Sequence, residues 1–269
     1  MKEIAVASWE EFEERLRALR TEISAGLTGW LYRGQEDASW PLLTTLERRK
    51  ERISVKDYYA RILRVKTEIE VFTGRDWDSP DDEKLRADLA EYDNFNLRLS
   101  FGELPAYSYM AYLRHHGFPS PLLDWTRSPY VAAYFAFRQG KREKVALYAY
   151  AERPKNVKVS GSSHPMIYVF GPHVKTHRRH FSQRSTYTLC AYFNTTTKLP
   201  TWFFAHHDAV FDLSESEQDL LFKFTIPCSE RVKVLSKLNE YNLNAVSLFG
   251  SEESLMETLA IQEFEFNHR

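Results

Sequence analysis

Apolar residues recur along the first half of the chain at helical spacing. Ser8-Trp9-Glu10-Glu11 has the form of a capping box, and Phe12, Leu16 and Leu19 follow on one helical face. From Gly29 to Arg33 a short apolar run, Trp30-Leu31-Tyr32, reads as a buried strand that ends on an arginine. A second helix opens near Ser54. Tyr58, Ile62, Val65, Ile69 and Phe72 line its inner face, and Gly74 closes it. Ser79-Pro80 has the form of an N-cap followed by proline at the first helical position, with Leu85, Leu89 and Tyr92 turned inward behind it. Pro105 to His115 predicts a further helix, closed by Gly117.

Beyond that point the texture changes. Pro129 to Arg138 is a short aromatic helix, and strand-like runs follow at 144–151, 166–170, 186–193 and 220–226. Ser229 is placed to cap a helix carrying Val232, Leu235 and Leu238. Ala245 to Phe249 reads as a last strand, and Glu253 to Ala260 as a last helix. Helices lead and strands follow, which fits an α+β class better than alternating βαβ units. No repeat, low-complexity tract or linker interrupts the pattern. The expected organisation is one domain over 1–269, with a helical insertion over about 50–116.

Composition narrows the class. Of 269 residues, 43% are hydrophobic and 27% charged, too apolar for a disordered chain, and the 14% of aromatics predicts a core of Phe, Tyr and Trp. A net charge of −1 excludes a globally basic nucleic-acid binder but leaves a local patch open. Two cysteines, Cys190 and Cys228, form no disulfide framework, which points to a reducing compartment. No run of 18 apolar residues reads as a membrane span, and Met1 to Ser8 lacks the apolar core of a signal peptide. The expectation is a cytoplasmic protein without membrane contact.

Three stretches could carry chemistry. In Tyr32-Arg33-Gly34-Gln35, an arginine fork fixed by a strand suits a phosphate or a carboxylate; an internal salt bridge is the plainer alternative. In Tyr112 to Phe137, His115 and His116 leave a helix and Pro119 and Pro121 stiffen the connection. Asp124-Trp125-Thr126 then precede Ser128-Pro129. Asp124 follows two leucines and is expected to be buried, which demands partners. Thr126 or Ser128 is placed to cap the next helix. The two histidines have no further metal-ligand spacing, so no metal is expected. In His173 to Leu189, Lys175, Arg178, Arg179 and Arg184 stand among His173, His177 and His180, either as a phosphate-binding patch or as a solvated loop. Gln183 sits just before a strand. Walker, G-x-G-x-x-G, H-E-x-x-H and G-x-S-x-G motifs are absent.

Together these stretches resemble the FRG domain family. Its pattern begins F-R-G-Q, continues Q-H-x-G-x-P-T-R-L-L-D-W-T-x-S-P and leads into an A-x-x-F-A helix. Tyr32, Arg33, Gly34, Gln35 and Leu42 match the first block. His115, Gly117, Pro119, Leu122, Leu123, Asp124, Trp125, Thr126, Ser128 and Pro129 match the second, and Ala132, Ala133, Phe135 and Ala136 the helix. Arg179, Gln183, Tyr187 and Thr188 match a later block, and Leu248-Phe249-Gly250 a closing one. The sequence departs from the pattern at Arg114, Ser120, Pro121 and Ser185. An arginine of the family pattern is lost at Pro121, so Arg114 or Arg127 would have to replace it in space.

The order of the blocks resembles the three-part signature of ADP-ribosyltransferases. That likeness implies an ADP-ribosyltransferase-like mixed or antiparallel split sheet, with NAD as substrate. It casts Arg33, Thr126, Ser128 and Gln183 as catalytic. Tyr32, Arg33, Gly34, His115, His116, Trp125, Arg179 and Tyr187 become NAD contacts, with Asp124 as their support. It further implies a bacterial toxin or phage-defence effector, an RNA, DNA or protein acceptor, and a neutralising antitoxin partner. Two rivals stay open: a nucleotide- or nucleic-acid-binding module without turnover, and a metal-independent ribonuclease using His115, His116 and Arg33.

Overall fold

The strand Lys144–Glu152 has eight of its nine positions buried, so both of its faces are covered and it lies inside the molecule. A computed structural model describes residues 1–26, 28–49, 52–78, 80–152, 154, 164–171, 178–196, 198–212 and 218–266, excepting the side chains of 178, 179 and 212. The elements are, in order, β1 (Lys2–Ala5), α1 (Trp9–Glu22), β2 (Trp30–Gln35), α2 (Val55–Thr73), α3 (Asp82–Ala90), α4 (Tyr92–Ser100), α5 (Tyr107–His115), β3 (Leu123–Thr126) and α6 (Pro129–Phe137). Then come β4 (Lys144–Glu152), β5 (Met166–Phe170), α7 (Arg178–Ser182), β6 (Ser185–Asn194), β7 (Thr201–Phe204), α8 (Asp208–Asp212), β8 (Asp219–Pro227), α9 (Arg231–Glu240), α10 (Ala245–Phe249) and α11 (Glu252–Ile261).

The architecture is α+β, built on one open eight-stranded sheet. Its strand order is β1-β8-β4-β2-β3-β6-β5, with β7 added on β6. The sheet is mixed, because β1 runs parallel to β8 while the other pairs are antiparallel. Its two halves meet at a waist. β2 registers with β4 from Trp30 to Gln35, but with β3 at the single pair Tyr32↔Thr126. Continued, that register would set Gly34 opposite Asp124. The strands part before reaching it, and the opening becomes a cavity.

Both faces of the sheet are covered. Helices α2 to α5 pack on the β5-β6-β7 half through Tyr58, Tyr59, Ile62, Tyr109, Phe170 and Trp202, while α1, α6 and α9 pack on the β4-β8 half through Trp9, Phe12, Phe137, Phe224 and Leu235. The aromatic core expected from composition is present, with Tyr92 stacked on Trp202 at 5.5 Å between ring centroids.

Several local expectations need correction. Ala245 to Phe249 is a helix, not a strand. Asn244 accepts from the Ser247 amide at 3.1 Å and Ser247 Oγ accepts from the Asn244 amide at 3.1 Å, a reciprocal cap that overrides a short apolar run whose period is ambiguous. Phe72 is 90% exposed, because α2 outruns the surface it covers. Asp81 caps α3; Ser79 lies outside the described residues. Tyr92 begins its own helix after Glu91. Glu230, not Ser229, precedes α9, and it makes no side-chain cap. Leu123–Thr126, given no element from the sequence, is strand β3. Among the described residues no helix is long and apolar enough to cross a membrane.

Candidate functional site

Gly34 explains how Arg33 is held. A Cβ on Gly34 would fall inside the contact shell of the Ala132 carbonyl oxygen and 2.7 Å from the Ala136 amide, so β2 lies directly on the backbone of α6. Helix α6 allows this approach through its small residues Ala132, Ala133 and Ala136. Ser128 starts it by accepting from the Val131 amide, with Pro129 in the first turn. Gly34 therefore serves packing as well as lining the site. Ser128 is a helix cap and does not line the cavity.

At the waist, Arg33 Nη1 donates to the Asp124 carbonyl at 2.7 Å and stands 4.0 Å from its carboxylate. A side chain thus takes the acceptor that a continued β2–β3 ladder would have used. Arg33 has a 14% exposed side chain, and its buried Nε has no partner. Burial pushes its guanidinium down to about 10. Arg114 and Arg48 push the same way, and Asp124 opposes them more strongly than either. It stays charged at neutral pH. Asp124, expected to be buried, has a 38% exposed side chain. Arg114 grips it at 2.5 Å, since departure of the strand leaves the carboxylate open to the cavity.

The cavity is about 330 Å³ and is lined by Tyr32, Arg33, Gln35, His115, Asp124, Thr126 and Gln183, among others. Buried polar atoms without partners cluster in its walls: Tyr32 Oη, Arg33 Nε, Gln35 Oε1 and Asp124 Oδ1. Buried donors and acceptors are nearly always satisfied in folded proteins, so a group of orphans around one cavity marks a site for a polar ligand. Burial raises the Tyr32 hydroxyl to about 12, with Arg20 opposing, so it is a protonated donor at neutral pH.

His115 reaches the same cavity from the end of α5. Its Nε2 lies 2.7 Å from the Tyr187 hydroxyl, which in turn lies 3.5 Å from His180 Nδ1. Burial keeps the Tyr187 phenol protonated, so donation from it to Nε2 sets the Nδ1–H tautomer of His115. Burial also lowers the His115 pKa below its ordinary 6.5; Asp124 opposes this, while His180, Arg114 and His116 reinforce it. The unfolded imidazole takes a proton below about pH 6.5 and the folded one resists, so stability should fall as pH drops through the window just below 6.5. His115→Gln should flatten that acid limb in urea midpoints measured across the window. An unchanged limb would exclude this imidazole as its source.

Gln183 enters from the turn between α7 and β6. Its Nε2 donates to the Leu248 carbonyl in α10 at 3.3 Å, which anchors the amide. The third and closing blocks of the sequence pattern therefore meet here, with Gln183 on the cavity wall.

Residues 28–145 match the family model of the FRG domain. This chain carries an FRG domain. No curated protein and no solved structure matches it. The FRG match supplies β2, α5, β3 and α6, and hence Arg33, His115, Asp124 and Thr126. Gln183 and Ser185 reach the cavity from beyond the match.

Other candidate residues lie apart from the cavity or turn their polar groups away from it. His116 is exposed beside Tyr112, with ring centroids 4.2 Å apart. Tyr187 is fully buried behind His115 and offers no ring face to a ligand. Trp125 borders the cavity, but its indole donates to Thr188 at 2.8 Å and packs on Tyr150. The aromatic walls come instead from Phe135, which matches the A-x-x-F-A helix but was given no role in the site, and from Trp40, which no motif singled out, as none did Glu36 and Arg48. Arg114, at the position where the family has glutamine, is the arginine found beside Asp124; Arg127 is exposed. Of the basic stretch, His173, Lys175, His177 and the side chains of Arg178 and Arg179 lie outside the described residues, and His180 is buried. Among the described residues no group of three or more His, Cys, Asp or Glu is placed to hold a metal ion.

Proposed function

We propose that this FRG domain is an NAD-dependent ADP-ribosyltransferase whose cavity takes the nicotinamide–ribose end of NAD. The observation that carries this reading is the convergence of Arg33, Thr126 and Gln183, from three distant stretches, on one cavity with unpartnered polar walls. Its volume, about 330 Å³, is near the lower end of small-molecule sites, roughly 300–1,000 Å³, and suits one half of a dinucleotide.

The residues fit the ligand in kind. Arg33 keeps Nε to donate to a pyrophosphate oxygen. Asp124 Oδ1 and Gln35 Oε1 can accept from ribose hydroxyls, and Phe135 and Trp40 supply ring faces. In the reaction the bond between ribose C1′ and the nicotinamide nitrogen breaks. Its electron pair leaves with the ring, which becomes neutral. Asp124 offsets the positive charge that develops on the ribose. A lone pair of the acceptor closes the new bond to C1′, and the acceptor's proton passes to solvent. Gln183 adds no charge while it orients a hydroxyl or the acceptor. Action as a toxin or phage-defence effector, held in check by a protein partner, is the cellular setting this chemistry suits.

The ribonuclease reading needs two acid–base groups on one phosphate. His115 lines the cavity and His116 does not, so the geometry favours the transferase. Incubation with NAD labelled in the nicotinamide ring separates the readings. Free nicotinamide is the expected product; binding of NAD without release would leave a binding module.

A further inference from the structure

A second set of concavities leads away from the candidate site along α1. One, of about 430 Å³, is lined by Phe12, Leu16, Arg17, Arg20 and Tyr130. The next, of about 390 Å³, is lined by Arg20, Thr28, Trp30, Tyr32 and Arg127. They share Arg20, and the second shares Tyr32 with the cavity holding Arg33. Arg20 and Tyr32 set the three side by side, as a run of concavities that can serve as one groove.

The groove is positively charged. Arg17 and Arg20, three positions apart, occupy one face of α1, and Arg127 directly follows Thr126 of the cavity. All three are exposed, and among the described residues none has a carboxylate within 4.0 Å. Three of the five acids of α1 are engaged elsewhere: Glu10 by Lys233 at 2.8 Å, Glu11 by Arg15 at 3.6 Å, and Glu13, in the groove wall, by Lys237 at 2.7 Å; Glu14 and Glu22 do not line the concavities. Two aromatic rings share the lining with the arginines, the exposed Tyr130 beside Arg17 and Arg20 and the half-buried Trp30 beside Arg20 and Arg127. On a chain of net charge −1 this is a local track, not a general surplus of charge.

We infer that this groove carries a single-stranded nucleic acid, the acceptor of the proposed transferase, into the cavity past Tyr32. Arginines spaced along a groove meet successive phosphates, and interleaved rings stack unpaired bases. The inference rests on the transferase reading for its word acceptor, but not for binding itself.

The test uses the full chain and fluorescently labelled RNA and DNA strands of about ten nucleotides, within the usual site size of single-strand binders. Anisotropy is followed against salt, and nicotinamide release from NAD is measured without added strand. The wild type should bind at least one of the strands, the tighter one naming the acceptor type. Arg17→Glu with Arg20→Glu should weaken binding about tenfold or more and reduce the salt slope by about 0.7 per lost contact. Tyr130→Ala should weaken it about fivefold. Melting temperature and basal nicotinamide release should be unchanged by the arginine pair. A wild type that binds neither strand, or a charge-reversed variant that binds as the wild type does, overturns the inference. Strand binding that depends on these arginines, with no nicotinamide released by any form, removes the transferase and keeps the groove. Nicotinamide release without strand binding does the reverse.

Discussion

Arg33→Ala should reduce NAD affinity tenfold or more. A hydrogen bond to a charged group contributes about 1.5–3 kcal/mol, and about 1.4 kcal/mol is tenfold in affinity. Arg33 is placed for such a bond because its Nε is buried and unpartnered while Nη1 is tied to the Asp124 carbonyl. The effect on folding should be smaller. Truncation loses the Asp124 contact, but it also relieves a buried cation held near Arg114 and Arg48. The expected result is a melting temperature within a few degrees of the wild type, alongside a large loss of NAD binding by calorimetry. A large thermal loss with binding intact would assign Arg33 to holding the waist closed.

Gly34→Ala should have the opposite signature. The added Cβ meets backbone atoms of Ala132 and Ala136, which cannot rotate away as a side chain would. Overpacking of this kind costs about 1–3 kcal/mol, and more where backbone must move. In a chain of this size each kcal/mol lowers the melting temperature by about 2–4 °C, so a fall of several degrees is expected in thermal circular dichroism. Binding should weaken too, because moving β2 off α6 displaces Arg33 and Phe135 together. Wild-type stability in this variant would contradict the close β2–α6 contact.

Those two neighbours illustrate what was legible beforehand. Arg33 announced itself as a charge at the end of an apolar strand, and in the structure it makes one internal contact and keeps one donor without a partner. Gly34 could be read only as a motif letter, since its packing role depends on a helix nearly 100 residues further along. Asp124 was expected to be buried after Leu122-Leu123. It is partly open because β2 and β3 separate, a long-range event without a local pattern. Tyr187 and Trp125 were natural stacking candidates by position, yet strand alternation and their bonds to His115 and Thr188 turn them into the core. Trp40 and Arg48 carry no sequence signal of a site and Phe135 only a motif letter, and only the closure of the fold brings the three to the cavity. Ala245 to Phe249 failed for a local reason: a five-residue apolar run has no period, and the Asn244–Ser247 cap decided it.

The most direct measurement of the central claim is saturation-transfer NMR with a carbocyclic NAD analogue, which cannot be cleaved. With the wild type, the strongest transfer should fall on the nicotinamide ring and the neighbouring carbocycle. It should be lost in Arg33→Ala and altered at the carbocycle in Gln183→Ala. Transfer strongest on the adenine, or a pattern identical in the wild type and both variants, would contradict an NAD site built from Arg33 and Gln183.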